Sequence, residues 1–222
     1  MTATLQLRDR VEVVGLSAYL RRLAALDARA SVRLQAGGPV LGVWGGPPLG
    51  VVTLRPVGLA GPAELDRTVS VHRLLEAIEA AQADAKVTVP PVIGGPPWAG
   101  LLPPRTGWKW LATVPVAVVA DAVRVGVDAF QRRVQLLAPG ERTQPALEGV
   151  ANEVWSRPVV SDVPLRAAHA AKVIGLLGPE GEVSAHSSGS WQRLSCPGGS
   201  AALRRDGTMG LGFDLGVWAL GG

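Results

Sequence analysis

A stretch rich in proline, glycine and tryptophan constrains the fold most. Between Val87 and Trp110 the chain carries three Pro-Pro pairs, several glycines and three of its seven tryptophans. Proline lacks a backbone N–H and biases the preceding residue toward extended geometry, so we expect no helix here. Disordered linkers rarely carry large apolar side chains, so the tryptophans favour an ordered connection. This predicts an N-terminal half at residues 1–88, a connection at 89–112 and a C-terminal half at 113–222, with one compact domain as the alternative.

The N-terminal half shows alternating and helical periodicities in turn. Apolar residues at odd positions from Leu5 to Val13 predict a strand, and Ser17 is a candidate N-cap for a short helix after it. Three short apolar segments separated by Gly-Pro clusters predict an antiparallel meander. They cover residues 31–35, 40–44 and 51–56. A helix is predicted over residues 68–83, with His72 on its solvent side.

The C-terminal half opens with the clearest helix of the chain. Apolar residues recur at helical spacing from Val116 to Leu137, and Gly126 on that side indicates a close approach by another backbone. Further helices are predicted at residues 145–155 and 164–177, the latter without a polar face. Short strands follow at residues 182–187, 191–195, 201–205 and 209–215, and Asp206-Gly207 is a hairpin signal.

Together these elements predict an α+β fold in which antiparallel meander sheets pack with amphipathic helices. Sliding the sequence on itself by 151 positions places Leu23 on Ile174 and Val32 on Val183 without a gap. Helix, strand, turn and strand then recur in the same order. Two similar halves related by pseudo-symmetry are therefore a further hypothesis.

Composition excludes several classes of protein. The 222 residues are 47% hydrophobic and 18% charged, as in globular proteins that bury a core. No window offers about 18 uncharged apolar residues, and the polar start does not resemble a signal peptide. The single cysteine, Cys196, forms no internal disulfide. These features favour a cytoplasmic protein.

The tryptophans are the least ordinary part of the composition, because the chain has only two phenylalanines and one tyrosine. Trp98, Trp108, Trp110 and Trp218 fall in predicted loops or near the terminus, where an amphipathic ring often marks an interface. An apolar tail at residues 215–220 would dock on its own domain or on a second subunit. These four tryptophans are the predicted binding residues.

A small-molecule enzyme is the first alternative. Cys196 lies beside Pro197 and two glycines, and His186 precedes it on a neighbouring predicted strand. Cys196 is therefore a candidate thiol nucleophile, with His186 as its candidate base. His169, on a helix enclosed by protein, completes the candidate pocket. A lone cysteine is more often a small buried hydrophobe, and no strand-to-helix elbow follows this one. Catalysis is therefore the less favoured hypothesis.

Cofactors and metals are not expected. The glycine-rich stretches at residues 45–50 and 94–100 do not run from a strand into a helix, and their prolines remove the N–H donors that a phosphate needs. The three histidines are dispersed and show no metal-ligand spacing.

An arginine-based nucleic-acid binder is the second alternative, because 22 basic residues exceed 18 acidic ones and almost all are arginine. The basic doublets at residues 21–22, 132–133 and 204–205 do not place both members on one patch, since neighbouring side chains diverge on helices and strands. We therefore favour a non-catalytic binding, accessory or assembly protein that uses a Trp- and Pro-rich surface, with a homodimer or other protein partner and no membrane.

Overall fold

A computed structural model describes residues 3–46, 50–81 and 84–205. The chain divides into two compact units. Unit 1 comprises Met1–Pro47 and Val52–Leu102, and unit 2 comprises Pro48–Val51 and Pro103–Gly222. The predicted strand at residues 209–215, the Asp206-Gly207 hairpin and the apolar tail lie outside the described residues.

The described residues of unit 1 form four strands and three helices. They are β1 (Thr4–Gln6), α1 (Arg10–Leu26), β2 (Ser31–Gly45), β3 (Val52–Ser70), α2 (Val71–Ala80), β4 (Lys86–Thr88) and α3 (Pro97–Gly100). Strand β1 pairs antiparallel with β4, and β2 pairs antiparallel with β3 along most of its length. Helices α1 and α2 pack on each other and on β3, so the core lies between them.

In the part of unit 2 that the structure describes, the chain forms six strands and three α-helices. They are β5 (Lys109–Pro115), α4 (Val116–Leu136), α5 (Gln144–Trp155), β6 (Pro158–Val160), β7 (Val163–Pro164), α6 (Leu165–Val173), β8 (Glu182–Ser188), β9 (Trp191–Cys196) and β10 (Gly199–Arg204). Four of its strands form an antiparallel sheet in the order β10-β9-β8-β5. Helix α4 contacts β5 and β8, and α6 contacts β9 and β10.

These elements confirm the predicted α+β class with antiparallel sheets and amphipathic helices. The predicted stripe of α4 is buried at Val116, Val119, Val123, Val127 and Phe130. Both units begin with a strand followed by a long helix, β1 and α1 in one and β5 and α4 in the other. The alignment at a shift of 151 positions stays a prediction.

The strand predicted to run to Val13 is wrong, because helix α1 begins at Arg10. The carboxylate of Asp9 accepts a hydrogen bond from the Glu12 N–H at 3.0 Å and caps the helix. The buried positions Val13, Leu16 and Leu20 then follow helical spacing. Helical burial therefore overrides the alternating pattern, and the predicted cap Ser17 lies inside the helix.

The three-strand meander is also wrong, since β2 and β3 form one long hairpin. Gly37, Gly38 and Pro39 make no turn: the register shifts between Gly38 and Val40, and Gly38 has a φ of 133°. Glycine adopts this conformation without steric cost, so a bulge replaces the turn.

The prediction of no helix between Val87 and Trp110 is wrong at one place. One turn, α3, forms at Pro97–Gly100 with proline at its start, where a missing N–H costs nothing. The close approach at Gly126 also differs from the prediction: a Cβ at this position would meet the side chains of Leu165 and Trp155, not a backbone.

Candidate protein-binding surface

Strand β5 presents an exposed tryptophan at the edge of the unit 2 sheet. The side chain of Trp110 is 64% exposed, the most exposed aromatic ring among the described residues. Its indole N–H donates to the Thr113 hydroxyl at 3.0 Å, and that hydroxyl lies 2.8 Å from the hydroxyl of Ser184. These bonds fix the orientation of an aromatic ring that is open to a partner.

The strand register places two further side chains beside this tryptophan. Trp110 is paired with His186 of β8, and His186 is paired with Arg193 of β9. Their strand neighbours Ala185 and Leu194 are buried. Because side chains alternate between the two sides of a sheet, Trp110, His186 and Arg193 lie on the side opposite that buried core.

Trp108 completes this group. The guanidinium carbon of Arg193 lies 4.1 Å from the centroid of the Trp108 ring, in a cation–π contact. The indole N–H of Trp108 donates to the carbonyl of Pro104 at 2.8 Å. We call Trp108, Trp110, His186 and Arg193 the tryptophan face.

The two basic side chains of the tryptophan face are partly withdrawn from water. Burial lowers the pKa of Arg193. Burial, with a smaller effect of the Arg193 charge, lowers the pKa of His186 below its usual 6.5. His186 is therefore neutral at pH 7, and Arg193 carries the charge of this pair. Arg193 Nε and His186 Nδ1 are both buried and lack hydrogen-bond partners among the described residues.

The other two predicted binding tryptophans are placed elsewhere. Trp98 lies in α3 of unit 1, where its indole packs so closely on Gly46 that a Cβ there would stand 2.6 Å from the ring. This close packing indicates a structural contribution to unit 1. Trp218 lies outside the described residues.

Cys196 is not set up as a nucleophile. Burial raises the pKa of its thiol from the ordinary value of 9.0 to about 12. A nucleophilic cysteine needs the opposite shift, because the thiolate is the reactive species. At neutral pH this shift favours the protonated thiol, which is the less reactive form of the Cys196 side chain.

His169 lies fully buried in α6, with its ring stacked on Trp155 at a centroid distance of 4.3 Å. His186 lies on the opposite side of the sheet from the helices, so the structure does not bring the two histidines together. His72 is exposed on α2. None of these arrangements assembles the acid, base and nucleophile of a catalytic pocket.

A polar cleft of about 270 Å³ does lie in unit 2, but away from those residues. Ser156, Asp162, Pro164, Arg166, Gln192, Leu203 and Arg205 line it. The Asp162 carboxylate pairs with Arg205 at 2.9 Å, and the Asp162 carbonyl accepts from Gln192 Nε2 at 2.8 Å. These contacts tie the walls of the cleft to each other.

The arginine doublets are engaged by acidic residues. Arg21 pairs with Glu79, Arg133 with Glu153, and Arg205 with Asp162. One member of each doublet is thus paired with a carboxylate, which offsets part of the basic charge at these three positions.

Within the described ranges no group of His, Cys, Asp and Glu could hold a metal ion. The helices described here are all too short or too polar to cross a lipid bilayer.

The sequence predicts Trp108 and Trp110 as binding residues but does not indicate that Arg193 and His186 lie beside them. Arg193 and His186 became part of the surface only through the pairing of β5 with β8 and of β8 with β9. Which strands lie beside Arg193 depends on the sheet order, which the sequence of β9 alone does not contain.

Two different family models match the two halves of the chain. Residues 103–208 match the model of a domain of unknown function, DUF8185. Residues 1–100 match that of a second domain of unknown function, DUF8010. The sequence matches no curated protein.

Solved sliding clamps share the fold. The DnaN sliding clamp (DNA polymerase III subunit beta) from Bartonella birtlesii bound to griselimycin has a TM-score of 0.54 and 13% identity, over 94% of this chain and 66% of that one. A sliding clamp from Pseudomonas aeruginosa has a TM-score of 0.51 and 12% identity, over 92% and 63%. The polymerase III beta subunit from Borrelia burgdorferi, in complex with a natural product, has a TM-score of 0.50 and 6% identity, over 86% and 62%.

This chain therefore spans less than two thirds of the length of the clamp chains. At such low identity the likeness establishes the fold alone, an α+β arrangement of antiparallel strands and helices.

Proposed function

We propose that this protein is a non-catalytic binding and assembly protein that contacts a protein partner through the tryptophan face of unit 2. A second copy of the chain is the first partner to test. The observation that carries the proposal is the exposure of Trp110 on β5. Tryptophan and arginine are the residues that most often dominate the binding energy of protein interfaces, and this surface has both.

The structural neighbours support the same class of function. The solved chains that share the fold are named as sliding clamps and as a subunit of DNA polymerase III, a subunit being by definition part of an assembly. We extend to this chain only the general role of binding proteins. The DNA polymerase assembly itself is not part of the proposal.

The competing hypotheses have less support from the geometry. The protonated thiol of Cys196 and the separation of His169 from His186 argue against an enzyme, and the acid-paired doublets argue against a nucleic-acid binder. A cytoplasmic location, and residues 89–112 as the connection between two halves, remain part of the proposal on the sequence arguments given above.

Assembly is tested by size-exclusion chromatography with light scattering over a dilution series. We expect a dimer or larger species that dissociates on dilution, and we expect Trp110→Ala to raise the dissociation constant at least about tenfold. Leu136→Ala is the matched control, because Leu136 is also a large exposed apolar side chain but lies at the end of α4.

A wild-type protein that stays monomeric at every concentration would contradict self-assembly. Equal effects of the Trp110 and Leu136 substitutions would show that the tryptophan face is not the contact surface.

A further inference from the structure

The tryptophan face also carries information on the chemistry of its partner. This inference rests on the proposed protein-binding function and goes beyond it. We propose that the tryptophan face binds an extended acidic segment of a partner protein, with a carboxylate pairing with Arg193 and an apolar side chain packing on Trp110.

The first step is that side chains, not backbone hydrogen bonds, mediate this contact. Although β5 lies at the edge of the unit 2 sheet, its register with β8 shifts between Trp110 and Ala112. Lys109 and Pro115 stand at its two ends. Bulges, lysines and prolines are the features that protect an edge from pairing with a further strand. The exposed indole of Trp110 is therefore the element left to make contact.

The second step is that the guanidinium of Arg193 needs a hydrogen-bond acceptor. The Arg193 side chain is partly withdrawn from water, and its Nε is buried without a hydrogen-bond partner among the described residues, so an external acceptor would meet the terminal Nη groups of the guanidinium. A partly desolvated cation is stabilised by an opposite charge, and a carboxylate matches the planar fork of a guanidinium. The aromatic ring of Trp108 covers one side of the guanidinium, so the ligand approaches from the edge or the other side.

The third step is that no carboxylate in the neighbouring strand rows competes with a ligand for Arg193. The rows Trp110–His186–Arg193 and Thr113–Ser184–Ser195 contain hydroxyls and basic groups, and Glu182 is the acidic residue of β8, paired with Pro115 at the far end of the strands. The positive charge of Arg193 is thus not neutralised by a neighbouring carboxylate in these rows. Charge complementarity then favours an acidic partner.

The fourth step separates a protein from a nucleic acid. Single-stranded nucleic acids bind surfaces that combine stacking aromatic rings with a groove of several cations along the backbone. Here His186 is neutral at pH 7, so Arg193 carries the charge of the Trp110–His186–Arg193 row. Lys109 is paired with Ser187, the strand neighbour of His186, and so belongs to the other side of the sheet. A single carboxylate beside an apolar group fits this arrangement, whereas a run of phosphates does not.

The test is selection of octapeptides from a random displayed library on the purified full chain. We expect enriched peptides to share an Asp or Glu at a fixed spacing from a bulky apolar residue. Selection on Arg193→Gln should lose the acidic preference, whereas selection on Arg124→Gln, the control on α4, should keep it. Circular dichroism checks that each variant is folded, and Arg193→Met, which is also uncharged, serves in place of Arg193→Gln if that variant does not fold.

One enriched peptide and its Asp→Asn (or Glu→Gln) analogue then give a double-mutant cycle by fluorescence anisotropy. We expect the amide analogue to bind the wild type about tenfold more weakly and to bind Arg193→Gln with unchanged affinity relative to the acidic peptide. Equal losses on both proteins would overturn the proposal. So would a library that yields no acidic preference, or displacement of the peptide by oligothymidylate at a lower concentration than by the peptide itself.

Failure here is distinguishable from failure of the proposed function. If Trp110→Ala still weakens self-assembly while no acidic preference is found, the binding function stands and the inference about the acidic partner is wrong.

Discussion

The guanidinium of Arg193 lies over the indole of Trp108, with its central carbon 4.1 Å from the ring centroid. This contact joins strand β9 to the residue just before β5, across the intervening strand β8. It therefore fastens the start of the edge strand to the middle of the sheet.

We expect Trp108→Ala to lower the free energy of unfolding by about 1–2 kcal/mol, because it removes a partly desolvated cation–π contact and apolar burial. Urea denaturation measures the change. Trp110→Ala is the control: its ring is 64% exposed, so its loss should cost less. A larger cost for Trp110 than for Trp108 would contradict this assignment of roles.

Asp9→Ala should lower the urea midpoint, because the carboxylate no longer accepts from the Glu12 N–H and helix α1 loses its N-cap. Asp9→Asn keeps an acceptor and should retain most of the stability. The Glu12 N–H bond lowers the pKa of Asp9. A group with a lowered folded pKa stabilises the protein above its unfolded pKa, so this contribution is lost as pH falls. An Asp9→Ala midpoint equal to wild type at pH 7 would contradict the capping role.

Asp9 also shows why part of the fold was not predictable. Odd-position apolar residues from Leu5 to Val13 fit a strand locally, and the choice of helix depends on tertiary burial of Leu16 and Leu20, which alternation cannot reveal. Helix α4 was predictable because its apolar stripe extends over several turns and leaves no competing period. Long regular elements are thus readable from sequence, while short ones depend on their neighbours.

The candidate site, like the fold, was predictable only in part from the sequence. Trp110 is a predicted binding residue because a tryptophan in a predicted loop often marks an interface, although the structure places it in strand β5. Its neighbours His186 and Arg193 lie more than 70 residues further along the chain, and only strand pairing brings them to it. A single sequence contains no signal for that register.

Gly126 and Gly149 offer a matched pair of glycine substitutions within helices. Alanine is favoured over glycine in a helix by up to about 1 kcal/mol. At Gly149 a Cβ meets nothing within 4 Å, so Gly149→Ala should stabilise the protein by about 0.5–1 kcal/mol. At Gly126 a Cβ would stand 2.6 Å from Leu165 Cδ2 and 3.2 Å from Trp155 Cζ3, both in buried side chains.

We therefore expect Gly126→Ala to be destabilising by about 1–3 kcal/mol, because overpacking a filled core outweighs the gain in helix propensity. Thermal or urea unfolding of both variants gives the comparison. Stabilisation by both substitutions would show that Leu165 moves aside at little cost and that the α4–α6 contact is not tightly packed.

Cys196 provides a prediction about pH. The thiol pKa is about 12 in the folded chain and 9.0 in its ordinary state, so between these values the unfolded chain loses the proton and the folded chain keeps it. The unfolded state then binds fewer protons, and the free energy of unfolding falls as pH rises, by up to about 1.4 kcal/mol per pH unit. Cys196→Ala should remove this component, leaving a shallower decline in the free energy of unfolding above pH 9.

The same burial predicts that Cys196 of the folded protein reacts slowly with iodoacetamide at pH 7, at a rate below that of free cysteine. Rapid alkylation of the folded protein would show that the thiol is ionised more easily than its burial implies, and would restore Cys196 as a candidate nucleophile. The same conclusion would follow if the free energy of unfolding had the same alkaline pH dependence in the wild type and in Cys196→Ala.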